Sequence, residues 1–242
     1  MSAWILQGIE TGVKTTRYPD KTDDSPGVTP GFPGTTELNE PHAAQALAAT
    51  CPMSALASEG SRVLVADRGL CVHCFRCARN ETPIAWRDDV EWATLNEGSD
   101  VLAHGFARSL HVLVVDAGDC GACLSEVAQL AGPYYNAHRL GIFVTPTPRH
   151  ADVMLVVGPM TDHMAEAARR CYDAMPDPKR VVAVGACAIS GGVFGRTFAS
   201  LGGVASVVPV DVTVPGCPPP PLAILHALLV VTGRRVPAGI VP

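Results

Sequence analysis

Four β-branched apolar runs stand out in the second half of the chain: Leu110–Asp116, Ala151–Val157, Arg180–Gly185 and Val204–Val210. Each is short and nearly continuous in apolar residues, the pattern of strands buried on both faces. Between the second and third runs, the apolar positions of Asp162–Met175 recur with the 3.6 period of an amphipathic helix. Such strands alternating with helices predict βαβ units and a mostly parallel, doubly wound α/β sheet over about residues 108–235. A last helix is predicted over Leu222–Gly233, which follows a proline run and closes on glycine.

The first hundred residues follow another pattern. Pro19 to Pro41 are dense in Pro, Gly, Thr and Asp without an apolar period, so they read as an extended, irregular arm. His42–Ala49 predicts a short Ala-rich helix, Ser61–Ala66 a strand, and Arg87–Gly98 a charged connection. Residues 1–100 therefore read as a small module with little core of its own, held together by something besides burial.

Composition narrows the class. The 242 residues are 48% apolar and 17% charged, enough apolar side chain for at least one full core. A net charge of -5 and only 5% aromatic residues argue against a nucleic-acid partner. The most apolar stretch, Leu222–Val231, carries His226 and falls well short of the ~18 residues of a membrane span. No N-terminal run reads as a signal peptide, so the expectation is a soluble, cytoplasmic chain. In that compartment nine cysteines read as metal or cluster ligands before disulfides. No phosphate-binding glycine loop occurs in context, so nucleotide binding has no support.

Cys71, Cys74 and Cys77 make three quarters of the bacterial ferredoxin run, whose fourth cysteine ligates the other cluster. Here that fourth position is Glu81. Upstream, Cys51-Pro52 has the signature of a run's last cysteine, and the three positions before it in register are Pro41, Ala44 and Leu47. Together, Pro41, Ala44, Leu47 and Glu81 would be the ligands of one cluster, and all four thiols are missing. Cys51, Cys71, Cys74 and Cys77 would be the ligands of the other, and all four are present. The pattern reads as a ferredoxin-like module that retains a single [4Fe–4S] cluster. A zinc site using His73 is the competing reading, but the spacing is tighter than the usual zinc pairings.

A second constellation lies in three segments that follow predicted strands: Cys120 and Cys123, Cys187, and Cys217. In open parallel sheets the binding crevice lies beyond the carboxyl ends of the strands, so these four cysteines are expected at one rim. Cys171 falls inside the predicted helix and reads as a buried structural thiol.

The segments Cys120–Glu126, Val144–Asp152, Gly158–Thr161, Gly185–Cys187 and Pro215–Pro221 closely resemble the small electron-transfer subunit of group 4 NiFe hydrogenases. That family is shared with the 20 kDa iron–sulfur subunit of respiratory complex I. The N-terminal Trp4–Gly12, Thr15–Pro19 and the first cysteine set resemble the polyferredoxin subunit of formate hydrogenlyase, as though two neighbouring subunits were fused. The resemblance implies a flavodoxin-like domain whose Cys120, Cys123, Cys187 and Cys217 hold a second [4Fe–4S] cluster beside a large catalytic subunit. Further iron–sulfur and membrane subunits, and a peripheral place on the cytoplasmic side of the membrane, follow from it too. Cys120 and Cys123 stand two residues apart, as in hydrogenases, whereas complex I subunits place two cysteines together.

The resemblance also marks Glu126 as a proton-passing acid and Arg149 and His150 as interface residues. The blander readings stay open: a first-turn acid favoured by the helix dipole, an ion pair of Arg149 with Asp152, and a solvated histidine. Tyr134, Tyr135 and His138 read as packing residues before the wall of a quinone-like pocket. The expected function is a non-catalytic electron relay in a hydrogenase-type oxidoreductase complex. Two alternatives are the same relay in a nickel-free, quinone-reducing complex and a cluster-holding sensor or assembly module.

Overall fold

The computed structural model describes residues 3–21, 31–39, 43–60, 62–79, 84, 86 and 89–238. Pro41, Glu81 and much of the Pro19–Pro41 arm lie outside the described residues. Helix α1 (Ala3–Thr11) buries none of its residues. Strand β1 (Thr36–Glu37), helix α2 (Ala43–Ala49), β2 (Leu56–Glu59) and β3 (Val63–Ala66) follow, and β3 pairs antiparallel with both β1 and β2. Their small core is Leu38, Ala44, Leu56, Leu64 and Ile84, with Leu47 against it. Two positions that would carry thiolates in a two-cluster ferredoxin, Ala44 and Leu47, thus fill apolar space instead.

The larger sheet begins with β4 (Thr94–Leu95) and β5 (Leu110–Asp116), followed by α3 (Ala122–Gln129), β6 (Ile142–Val144) and β7 (Val153–Val157). Helix α4 (Asp162–Ala174), β8 (Arg180–Val184), α5 (Ala186–Ser190), β9 (Val212–Val214) and α6 (Pro221–Val231) complete it. The strand order is β4-β9-β8-β7-β5-β6, with β4 antiparallel and all other pairs parallel. Numbered along the chain, the five parallel strands run 2-1-3-4-5, the flavodoxin-like order, which places a switch point between β5 and β7. This is the doubly wound α/β fold that the alternation of apolar runs and helices predicts.

Side chains alternate across that sheet. Val153, Leu155 and Val157 of β7 face a core with α6, whereas Met154 and Val156 face the side of α4 and α5. Every residue of α6 is buried. A helix apolar all round needs cover on its outer side too. Trp92 and Ala93 supply part of it, and both belong to the same core.

Two element readings need correction. Val204–Val210 is not a strand: Val204–Ser206 forms a tight turn, and the fourth predicted strand is instead β9 at Val212–Val214. Pro209 lacks the N–H that a central strand must donate. The sheet starts after Asp211, whose carboxylate accepts the Val181 N–H at 2.8 Å. The Arg87–Gly98 connection contains β4, which extends the large sheet. The short strands β1, β2 and β6 leave no legible alternation in the sequence.

Candidate metal centres

Cys120 and Cys123 follow β5, Cys187 lies in α5 after β8, and Cys217 follows β9. All four stand beyond the carboxyl ends of their strands. The Cys123 thiol is pushed up in pKa by burial first, then by the charges of Asp119, Cys187, Cys217 and Cys120. Burial and the charges of Cys217 and Cys120 push Cys187 up to about 11. Burial also raises Cys217, with Cys120 and Asp119 adding to it. The four sulfurs therefore lie within electrostatic reach of one another.

Backbone shape makes room for them. Gly185 has φ +89°, and a Cβ there would stand 2.6 Å from Cys123 Sγ. Gly192, at φ +53°, would place a Cβ 2.6 Å from Cys187 Sγ. Asp119, which sequence reasoning missed, organises the first ligand loop. Its Oδ2 accepts from the N–H groups of Gly121 at 2.9 Å and Leu124 at 3.0 Å. An acid directly before a Cys-x2-Cys pair is the signal that could have found it.

The first cysteine set also converges. Cys51, Cys71, Cys74 and Cys77 line one cavity, together with Met53, Leu56, Phe75 and Trp86. Burial pushes Cys71 up to about 11, with further rises from Cys77, Cys51 and Cys74 and an opposing backbone hydrogen bond from His73. The Ala55 N–H donates to Cys51 Sγ at 3.3 Å. Among the described residues, no three His, Cys, Asp or Glu side chains form a group suited to one metal ion. Four thiols lining one cavity with a backbone donor at Cys51, and four at one rim with glycines leaving room beside Cys123 and Cys187, are donor sets that fit an iron–sulfur cluster.

The segments that carry the two sets touch at one hydrogen bond. Ser190 Oγ, at the end of α5, donates to the Gly69 carbonyl at 3.1 Å. Gly69 lies two residues before Cys71, and Ser190 three residues after Cys187. Cys171 stands apart on α4, half-buried against the core on that side of the sheet.

The remaining candidates are spread around the larger domain. Helix α3 has no acid in its first turn, so the helix-dipole reading of Glu126 does not hold. Glu126 is half-buried on the second turn, and burial raises its pKa. Arg149 and His150 are exposed. The Asp152 carboxylate faces His111 instead of Arg149, accepting its backbone N–H at 2.7 Å and lying 3.5 Å from its ring. His138 stacks on Phe143 at 5.5 Å, Tyr134 and Tyr135 pack edge to face at 5.0 Å, and Tyr135 touches the main core.

Fold and rim together define a doubly wound α/β protein with a thiol-lined centre beyond its strand ends. The chain belongs to the family described as NADH ubiquinone oxidoreductase, 20 Kd subunit, whose model matches residues 120–231. That match takes in Cys120, Cys123, Cys187 and Cys217 and begins after the first cysteine set. An uncharacterized protein of Methanocaldococcus jannaschii is 46% identical over 129 residues, 53% of this chain and 86% of that one. Formate hydrogenlyase subunit 7 of Escherichia coli is 43% identical over 126 residues, 52% of this chain and 49% of its own length. A probable membrane-bound hydrogenase subunit of Pyrococcus furiosus is 43% identical over 122 residues, 50% of this chain and 73% of that one.

Proposed function

We propose that the chain is an electron-transfer subunit with two [4Fe–4S] clusters, working beside the large catalytic subunit of a complex I-like NiFe hydrogenase or formate hydrogenlyase. Cys51, Cys71, Cys74 and Cys77 would hold one cluster, and Cys120, Cys123, Cys187 and Cys217 the other. Proteins of this family bind iron–sulfur clusters. What supports the two-cluster reading is that four thiols line one cavity, that the other four feel one another's charges, and that the segments carrying them are joined by the Ser190–Gly69 hydrogen bond.

When bound, the clusters supply one-electron redox chemistry. The protein's part is placement. Cys71 is two peptide steps from Gly69, at most ~7 Å by backbone reach. Ser190 lies one helical turn from Cys187, roughly 5 Å along the axis. The hydrogen bond between them closes the remaining gap at 3.1 Å. Cys74 and Cys120 are the exposed members of the two sets. In this reading Cys74 faces an external one-electron carrier and Cys120 faces the large subunit. We read residues 1–100 as the ferredoxin-like module and residues 108–235 as the flavodoxin-like domain, with β4 of the module completing the larger sheet.

The hydrogenase assignment draws on the 43% identity to a formate hydrogenlyase subunit and to a membrane-bound hydrogenase subunit. The Cys120–Cys123 spacing supports it as well. Among the described residues no helix is long and apolar enough to cross a membrane. Association with the cytoplasmic face through membrane subunits of the complex belongs to the proposal.

Anaerobic co-purification of the full chain with its large subunit tests the reading. The expected result is about eight irons on this chain, two distinct EPR signals after reduction, and nickel in the partner. One signal, or zinc in the first set, overturns the two-cluster reading. Quinone reduction by a nickel-free partner moves the chain to the quinone-reducing branch, and the lack of any redox partner moves it to a sensor or assembly role.

A further inference from the structure

Two buried side-chain nitrogens among the described residues have no hydrogen-bond partner: His73 Nε2 and Trp86 Nε1. Such orphans are rare, because a buried polar group without a partner costs about 1–3 kcal/mol. His73 is enclosed by rings, with Phe32 at 4.4 Å and Trp92 at 5.8 Å, and does not line the cysteine cavity. Trp86 does line it, beside all four thiols.

Trp86 is held firmly. Its backbone bridges Pro33, and its ring stacks on Phe75 at 5.1 Å with 24° between the planes. Trp86 also packs against the small core, as Cys51 and Cys77 do. An indole N–H only donates, so it requires an acceptor. Met53, Ala55, Leu56 and Val72 make much of the rest of the wall, and their side chains offer at most a thioether. Among the side chains that line the cavity, the cysteine sulfurs are the acceptors on offer, together with the sulfides of a cluster they would hold.

We propose that Trp86 donates a hydrogen bond from Nε1 to a sulfur of the cluster held by Cys51, Cys71, Cys74 and Cys77, and so raises that cluster's reduction potential. The inference rests on the two-cluster reading above. Hydrogen bonds to the sulfurs are among the factors that set cluster potential. A donor stabilises the more negative, reduced state, so its effect is upward. The Ala55 N–H to Cys51 Sγ is a backbone donor of the same kind, and Trp86 adds a side-chain one that substitution can remove.

The test is an EPR-monitored redox titration of the full chain, wild type against Trp86→Phe, with pulsed EPR for exchangeable protons near each cluster. Phe keeps the stacking surface and removes the N–H. The expected result is unchanged iron content, a shift of the first cluster to more negative potential, loss of one exchangeable proton coupling, and an unmoved second cluster. An intact first cluster with wild-type potential and coupling overturns the proposal. Should Trp86→Phe lose the first cluster, wild-type protein labelled with ¹⁵N-indole decides. A nitrogen coupling from the label upholds the hydrogen bond, and its absence overturns it. A wild-type chain with only four irons fails differently, because it removes the two-cluster reading itself.

Discussion

The hydroxyl of Ser190 shares its one hydrogen between the carbonyls of Gly69 at 3.1 Å and Ala186 at 3.0 Å. One side chain thus ties the end of α5 to the segment that leads into Cys71. Ile189 lies against the same glycine, where an added Cβ would approach Ile189 Cγ2 to 3.0 Å. Ser190→Ala leaves the Gly69 carbonyl without this donor and is expected to cost about 1 kcal/mol. The measurement is a urea titration of the loaded protein, with iron content expected to stay at the wild-type level. A loss of iron from either set would contradict a purely connecting role for Ser190.

Gly185→Ala addresses the second thiol set. At φ +89° and ψ 157° the backbone is in a region essentially confined to glycine, and the new Cβ would meet Cys123 Sγ at 2.6 Å. The clash is expected to displace Cys123 and empty the C-terminal centre. Iron analysis should then find about four irons, with only the EPR signal of the first set remaining. A variant with both signals intact would mean that Cys123 is not a ligand.

The contrast between Cys51 and Cys171 tests the assignment of the two sets. Cys51→Ser is expected to lose the first cluster while the second stays. Cys171→Ser, at a half-buried position on α4, should keep full iron and activity, at a stability cost of at most about 1–2 kcal/mol. Loss of four irons from Cys171→Ser with none from Cys51→Ser would show the sets to be wrongly drawn.

His226 predicts acid sensitivity. Within fully buried α6, its Nδ1 accepts the Ala93 N–H at 3.2 Å, so Nε2 carries the proton and donates to the Val236 carbonyl at 3.1 Å. Burial lowers its pKa; Glu91, Asp89 and the Val236 bond oppose that, and Arg235 adds to it. A histidine depressed in the folded state contributes stability that is present above its unfolded pKa of ~6.5. That contribution is lost as pH falls through the lower folded value. Unfolding free energy should therefore decline below about pH 6.5, by at most ~1.4 kcal/mol per pH unit from this group. Urea titrations between pH 8 and 5 on wild type and His226→Gln should show a shallower decline in the variant. Equal slopes would assign the acid sensitivity to other groups.

Much of this protein was legible locally. Burial on both faces writes continuous apolar runs, so Leu110–Asp116, Ala151–Val157 and Arg180–Gly185 announced three central strands, and α4 and α6 were visible as a 3.6 period and a capped apolar run. Cysteine spacing likewise grouped Cys71, Cys74 and Cys77. Apolar pattern reports burial but not the partner, and that is where it failed. Val204–Val210 is apolar because it packs under α5, whereas the hydrogen-bonded strand begins only after Pro209 and Asp211. Strand β4 is two residues long, too short to show a period, and only the free edge of β9 makes it a strand. Which cysteines share a centre depends on strand order, since β8 and β9 must lie side by side before Cys187 and Cys217 can approach Cys123. The orphaned N–H of Trp86 has no sequence signature at all. It exists because Pro33 and Phe75, distant from each other along the chain, hold one indole at the wall of the cysteine cavity, and that is a decision of the tertiary structure alone.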